Sequence, residues 1–146
     1  MAFYRATLGG GGGNAPELLW VNPNISNLAG VSFAAQTINE NSSGWVSGKQ
    51  LSDYDGFIFG TLFNSSDYNT RGANLGYVTR DVSSLATPFP NNYVPCIVAR
   101  NVPNGTANHV RNITISSSGL DISTSTGGDT TCVPMYIWGV KGDLTN

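Results

Sequence analysis

Charge is scarce in this chain. Acidic and basic residues make up 11% of its 146 positions, against about 25% in an ordinary soluble protein. Lysine occurs only at Lys49 and Lys141, and there is a single histidine, His109. One histidine excludes a His-pair zinc site, and no Gly-x-Ser-x-Gly elbow is present to pair with it as a hydrolase triad. A net charge of −2 without a basic cluster argues against nucleic-acid or anionic-membrane partners. No apolar run approaches the ~20 residues of a membrane span, and "MAFYRATLGG" lacks the apolar core of a secretory signal. The expectation is therefore a soluble product, made in the cytoplasm or released by lysis. Two cysteines, Cys96 and Cys132, make no disulfide framework. Both lie in apolar strand patterns, where packed, reduced thiols are expected.

Neutral polar residues take the place of charge. Asn, Ser and Thr supply 44 residues and glycine 18, so hydroxyls and amides must build the surface. Five Asn-x-Ser/Thr triplets begin at Asn24, Asn41, Asn64, Asn104 and Asn112, and they follow from that composition. A chain of this length buries roughly 68% of its unfolded surface as one domain.

Short extended segments separated by turn chemistry run along the chain. "PELLWVNPN" is an apolar run stopped by Asn22-Pro23-Asn24, a strand followed by a turn. "GVSFAAQTINE" predicts a buried face through Val31, Phe33, Ala35, Thr37 and Asn39, and "NSSGWVSGKQ" a loop carrying Trp45. In "DYDGFIFGTLFNSS", Phe57, Phe59, Thr61 and Phe63 oppose Ile58 and Leu62, predicting a central strand covered on both faces, or with one face against a neighbouring subunit. "NSSDYNTRGAN" reads as a loop and "LGYVTRDVSSL" as a strand. "ATPFPNN" is a turn, and Pro95 in "YVPCIVARNV" predicts an edge or a strand start. Asn104-Gly105 favours a hairpin turn. "HVRNITISSSGLDIS" alternates Val110, Asn112, Thr114 and Ser116 against Arg111, Ile113 and Ile115. After the loop "TSTGGDTT", the terminal "CVPMYIWGVKGD" alternates again. Seven or eight strands and no helix predict an all-β fold, an antiparallel sandwich of jelly-roll type.

Three places bear on chemistry. Asp53 and Asp55 flank Tyr54 ahead of a strand; alternation would set both on one face about 6–7 Å apart. That spacing suits neither retaining nor inverting glycoside hydrolysis clearly. The loop around Asp129 carries too few charges for calcium, so no metal or cofactor is expected. The run Gly9–Gly13 lacks the Lys-Ser/Thr of a phosphate loop, and a strand and helix around it. It reads as a hinge, so residues 1–13 form a leader and residues 14–146 the β-domain. In that leader Phe3, Tyr4 and Leu8 offer apolar surface for docking on a partner.

The order of "MAFYRA", a glycine run, "LLWVNPN", "FAAQTI", "LSDYDGFIF", "RNITISSSGL" and "CVPMYIWGVKG" resembles that of small structural proteins of phages and prophages of Gram-positive gut bacteria. The resemblance covers most of the chain apart from loops at 41–50, 64–74 and 86–93, and it is a pattern of strands without a catalytic signature. It implies a virion component, a fibre, tip or decoration protein with a β-sandwich head, often trimeric, and carries over no enzymatic activity; the leader would then dock on other virion proteins. The expected function is a fibre or tip head module that binds a host-surface glycan or protein. The alternatives are a purely structural decoration or connector protein and, further off, a small glycan-cleaving enzyme. Aromatic and amide residues of the variable loops are the candidate ligand contacts: Trp45, Tyr68, Arg71, Asn91, Asn92 and Tyr93.

Overall fold

The structure is a computed structural model and describes residues 15–25, 33–62, 73–79, 93–98, 107–123 and 133–142. Phe3, Tyr4, Leu8, Tyr68, Arg71, Asn91, Asn92, Asp129 and Cys132 lie outside them, as does the leader at 1–13.

Eight strands follow one another: β1 (Glu17–Val21), β2 (Gln36–Ile38), β3 (Gly56–Leu62), β4 (Ala73–Thr79), β5 (Tyr93–Val98), β6 (Ala107–Ser116), β7 (Gly119–Ile122) and β8 (Val133–Val140). One 3-10 turn, Leu51–Asp53, is the only helical element among the described residues. Two four-stranded sheets result, in the orders β1-β8-β3-β4 and β2-β7-β6-β5, and every pairing is antiparallel.

The predicted central strand is confirmed. β3 lies between β8 and β4, with Phe57 and Phe59 wholly buried. Burying each such side chain contributes about 1.5–3 kcal/mol. β8 is central too, and Val133, Met135 and Ile137 face the same core. From the second sheet come Ile38, Ile113, Leu120 and Ile122, and the buried residues of both sheets form one cluster. Pro95 stands in β5 at the edge of its sheet, where a missing N–H costs least.

Four expectations are corrected. β2 is only three residues long, and Ile38 is its buried member while Thr37 and Ala35 are exposed. The parity is set by Ile38 pairing opposite Leu120, and Thr37 turns outward to bond Asp121. "HVRNITISSSGLDIS" is a hairpin of β6 and β7 with Ser117-Ser118 at its tip, not one strand. β4 begins at Ala73, two residues inside the expected loop. Asp53 and Asp55 do not share a strand face: Asp53 closes the 3-10 turn, and Asp55 precedes β3 with its carboxylate accepting the Gly142 N–H at 2.6 Å.

The outer edge of β1 is covered by the loop that follows β2. Val21 N–H donates to the Gly44 carbonyl at 3.0 Å and Val46 N–H to the Leu19 carbonyl at 2.8 Å, bracketing a bridge between Trp20 and Trp45. Gly44 makes this possible. Its φ of +88° suits glycine, and a Cβ there would lie 2.0 Å from the Val21 carbonyl oxygen.

The outward face of the first sheet is apolar. Across the ladder, Leu18 stands opposite Trp138, and Trp138 opposite Ile58. Tyr136 stacks on Trp138 with ring centroids 5.4 Å apart. Leu75, opposite Gly60, is 52% exposed, and Leu18 is also exposed.

Candidate functional site

The turn after β1, the segment leading into β2 and the loop beyond it enclose a groove of about 280 Å³. Its inner wall is built from Trp20 and Phe33, which meet edge to face with centroids 6.3 Å apart. Both rings are pinned. The Trp20 indole N–H donates to the Ser43 carbonyl at 2.8 Å. Phe33 is held through Arg111, whose Nη2 donates to the Phe33 carbonyl at 2.7 Å while the guanidinium lies 5.1 Å from the ring centroid. Arg111 also donates to the Ser123 carbonyl at 2.6 Å and is 1% exposed. A buried guanidinium needs such acceptors, and here they fasten the wall of the groove to β6.

Asn22 forms the floor. Buried at 3% exposure, it donates its side-chain amide to the Pro134 carbonyl at 2.9 Å and accepts the Asn24 N–H at 2.9 Å. The turn read from Asn22-Pro23-Asn24 is therefore an Asx turn anchored to β8. Opposite, the Ser42 hydroxyl accepts the Asn39 N–H at 2.9 Å. Three further polar side chains line the groove, those of Asn24, Gln36 and Ser43. They are exposed, and none makes a hydrogen bond among the described residues. Among the described residues, no ionisable one lines it.

A second cluster gathers both lysines of the chain. Glu17, at the start of β1, binds Lys49 through Oε2 and Lys141 through Oε1, the latter at 3.1 Å. The Tyr54 hydroxyl donates to Oε2 at 3.0 Å, and the Lys141 ammonium sits 5.2 Å from the centre of the Tyr54 ring. One carboxylate thus ties β1, the edge-covering loop, the 3-10 turn and the end of β8. Hydrogen bonds from Lys49, then Lys141 and Tyr54, hold the Glu17 carboxyl down at about 2. The bond to Glu17 raises both lysines. Burial, and then Glu17, raises Tyr54. At neutral pH the carboxylate has no proton to give and the ammoniums have no free lone pair, so the cluster acts as a clamp.

A consequence is acid sensitivity confined to one window. Glu17 titrates near 4.5 when unfolded and near 2 when folded, so its contribution is full above about pH 4.5 and is lost as pH falls towards 2. Urea midpoints of the wild type and Glu17→Gln should differ by a constant amount from pH 5 to 9 and converge between pH 4.5 and 2. A gap that persists at pH 2 would remove the clamp as its cause.

Of the expected contact residues, Trp45 and Tyr93 fall among the described residues. Trp45 is half-buried, packs on the core and donates its indole N–H to the Lys49 carbonyl at 3.0 Å, outside the groove. Tyr93 opens β5 opposite Asn112. Sequence reasoning missed the groove residues because its aromatic wall reads as ordinary strand core; the Asn-Pro-Asn turn was the one legible signal. Among the described residues, no group of three or more His, Cys, Asp or Glu is placed to hold a metal, and no helix is long and apolar enough to cross a membrane. Comparison of the chain with protein-family models, curated proteins and solved structures finds no match.

Proposed function

We propose that this chain is a non-enzymatic structural protein of a bacteriophage particle, a fibre or tip head module that assembles with copies of itself and binds a host-surface glycan. Its body, on this reading, is a two-layer sandwich of the jelly-roll kind. The outermost rungs of such a wrapped ribbon, β1 with β8 and β2 with β7, are present; the inner strands pair as neighbours along the chain, β3 with β4 and β5 with β6.

The observation that carries the reading is the outward face of the first sheet. Leu18, Ile58, Leu75, Tyr136 and Trp138 give a solitary molecule an aromatic-aliphatic surface on its first sheet. Contiguous apolar faces of this kind mark interaction sites, and closed rings of identical copies bury them economically. The order of sequence motifs supports a virion origin, and the locked protonation states around Glu17 favour an inert body over a catalyst.

Sedimentation velocity at micromolar concentration tests the assembly. The full chain should run as a trimer, and Leu18→Asp/Leu75→Asp should run as a folded monomer, since both side chains already meet solvent. A wild-type chain that stays monomeric throughout would sink the assembly. Antibody labelling of purified phage particles from a producing strain tests the origin. Label on fibres or tips is the expected result, regular label over the capsid would make this a decoration protein, and no label would end the virion reading.

A further inference from the structure

We propose that the groove bounded by Trp20, Phe33, Asn24, Gln36 and Ser43 is a binding site for one uncharged sugar ring of a surface glycan. This rests on the glycan-binding reading above and assigns it to a different place from Trp45, the expected contact whose side chain is described, which does not line the groove.

Four observations lead to it. The first is size. At about 280 Å³ the space lies at the lower end of the ~300–1,000 Å³ that hold drug-sized ligands, which suits a single ring and not a folded peptide. The second is the division of its polar groups. Asn22 and Ser42 are spent on holding backbone in place. Among the described residues, Asn24, Gln36 and Ser43 keep two amides and a hydroxyl uncommitted at the rim. Amides and hydroxyls each donate and accept, the pairing that a ring of vicinal hydroxyls requires.

The third is the absence of charge. None of the described lining residues is ionisable, so a carboxylated or phosphorylated sugar would lose hydration without gaining a counter-charge from them. A neutral ring bears no such cost. The fourth is rigidity. The wall is fixed from behind by Arg111 and the Ser43 carbonyl, and the floor by Pro134. A site already in its bound shape loses little entropy on occupation. The exposed apolar surfaces of Pro23 and Ala34 then meet the C–H face of the ring, backed by the buried Trp20, Phe33 and Ile38.

The test uses the full chain and saturation-transfer-difference NMR with glucose, galactose, N-acetylglucosamine and N-acetylgalactosamine, and with N-acetylneuraminic acid as the charged counterpart. At least one neutral sugar should receive saturation with a Kd of about 1 mM, some 4 kcal/mol of binding, and the acidic sugar should not. Asn24→Ala/Gln36→Ala should weaken the neutral sugar at least about tenfold, a loss of ~1.4 kcal/mol. Ala34→Trp, which fills the groove from an exposed lining position, should abolish binding; an unchanged thermal midpoint certifies both variants as folded.

Pull-down of host cell walls by the same proteins separates the two claims. Cell walls retained by the wild type and released by both groove variants support the site. Retention unchanged in both variants but lost in Trp45→Ala/Tyr93→Ala overturns the groove and keeps the glycan-binding function. Saturation of the acidic sugar alone overturns the neutral-sugar assignment. No retention by any form, with no sugar saturated, overturns both.

Discussion

Trp20→Ala should cost about 3–5 kcal/mol, the range for removing a buried aromatic from a core, and lower the urea midpoint more than any other single truncation in β1. Trp20 is 1% exposed and lies opposite Ile137 on β8. Its ring braces Phe33, its N–H holds the Ser43 carbonyl, and its backbone bridges to Trp45. Truncation therefore opens a cavity in the core and at the same moment frees the loop that covers β1. Trp20→Phe separates the two effects. It keeps most of the packing and gives up only the indole bond, so it should cost about 1 kcal/mol. If Ala and Phe were equally harmful, the hydrogen bond rather than the packing would be what Trp20 chiefly contributes.

Gly139→Ala is expected to be nearly as damaging, although it adds only a methyl group. A Cβ at Gly139 would lie 2.3 Å from Cδ1 of Tyr54 and 2.5 Å from Cγ. Neither neighbour yields easily, because β8 is paired on both sides and Tyr54 is 2% exposed. Overpacking of this kind costs about 1–3 kcal/mol. Displacing the ring also draws the Tyr54 hydroxyl from Glu17, which sits opposite Gly139 in the ladder. The decisive measurement is a double-mutant cycle with Tyr54→Leu, in which the Gly139→Ala penalty should shrink to less than half. Strict additivity would mean that the two residues do not collide, contrary to contacts that normally couple.

How far the fold and the groove can be read from sequence varies by residue. The strand at "GFIFGTL" was legible because aromatic residues at every second position leave no other regular structure that buries them together. Arg111 and Ile113 fall on one side of an alternating run, and both are buried. What the alternation could not convey is that the inward Arg111 finds carbonyl acceptors 12 residues later and 78 residues earlier in the chain. The hairpin at Ser117-Ser118 was hidden because serine is a weak turn former and the alternation runs on through it. Lys49 and Lys141 are 32 and 124 positions from Glu17 along the chain. Their meeting is a product of β1 pairing with β8, which no local pattern encodes. The groove was the least legible feature, since its wall consists of two residues that any reading assigns to the interior.

The strap of residues 44–46 across β1 has a bearing on how copies of this chain meet. With the Val21 amide donating to Gly44 and the Leu19 carbonyl accepting from Val46, that stretch of the edge of the first sheet is already paired and leaves another chain less backbone to extend. Contacts made there have to run through side chains lying flat on the layer, and their strength will respond to dilution, to salt and to single substitutions. In the assembly proposed above, bonding of that sort would yield closed, countable clusters. It does not feed the open-ended stacking that exposed sheet margins invite.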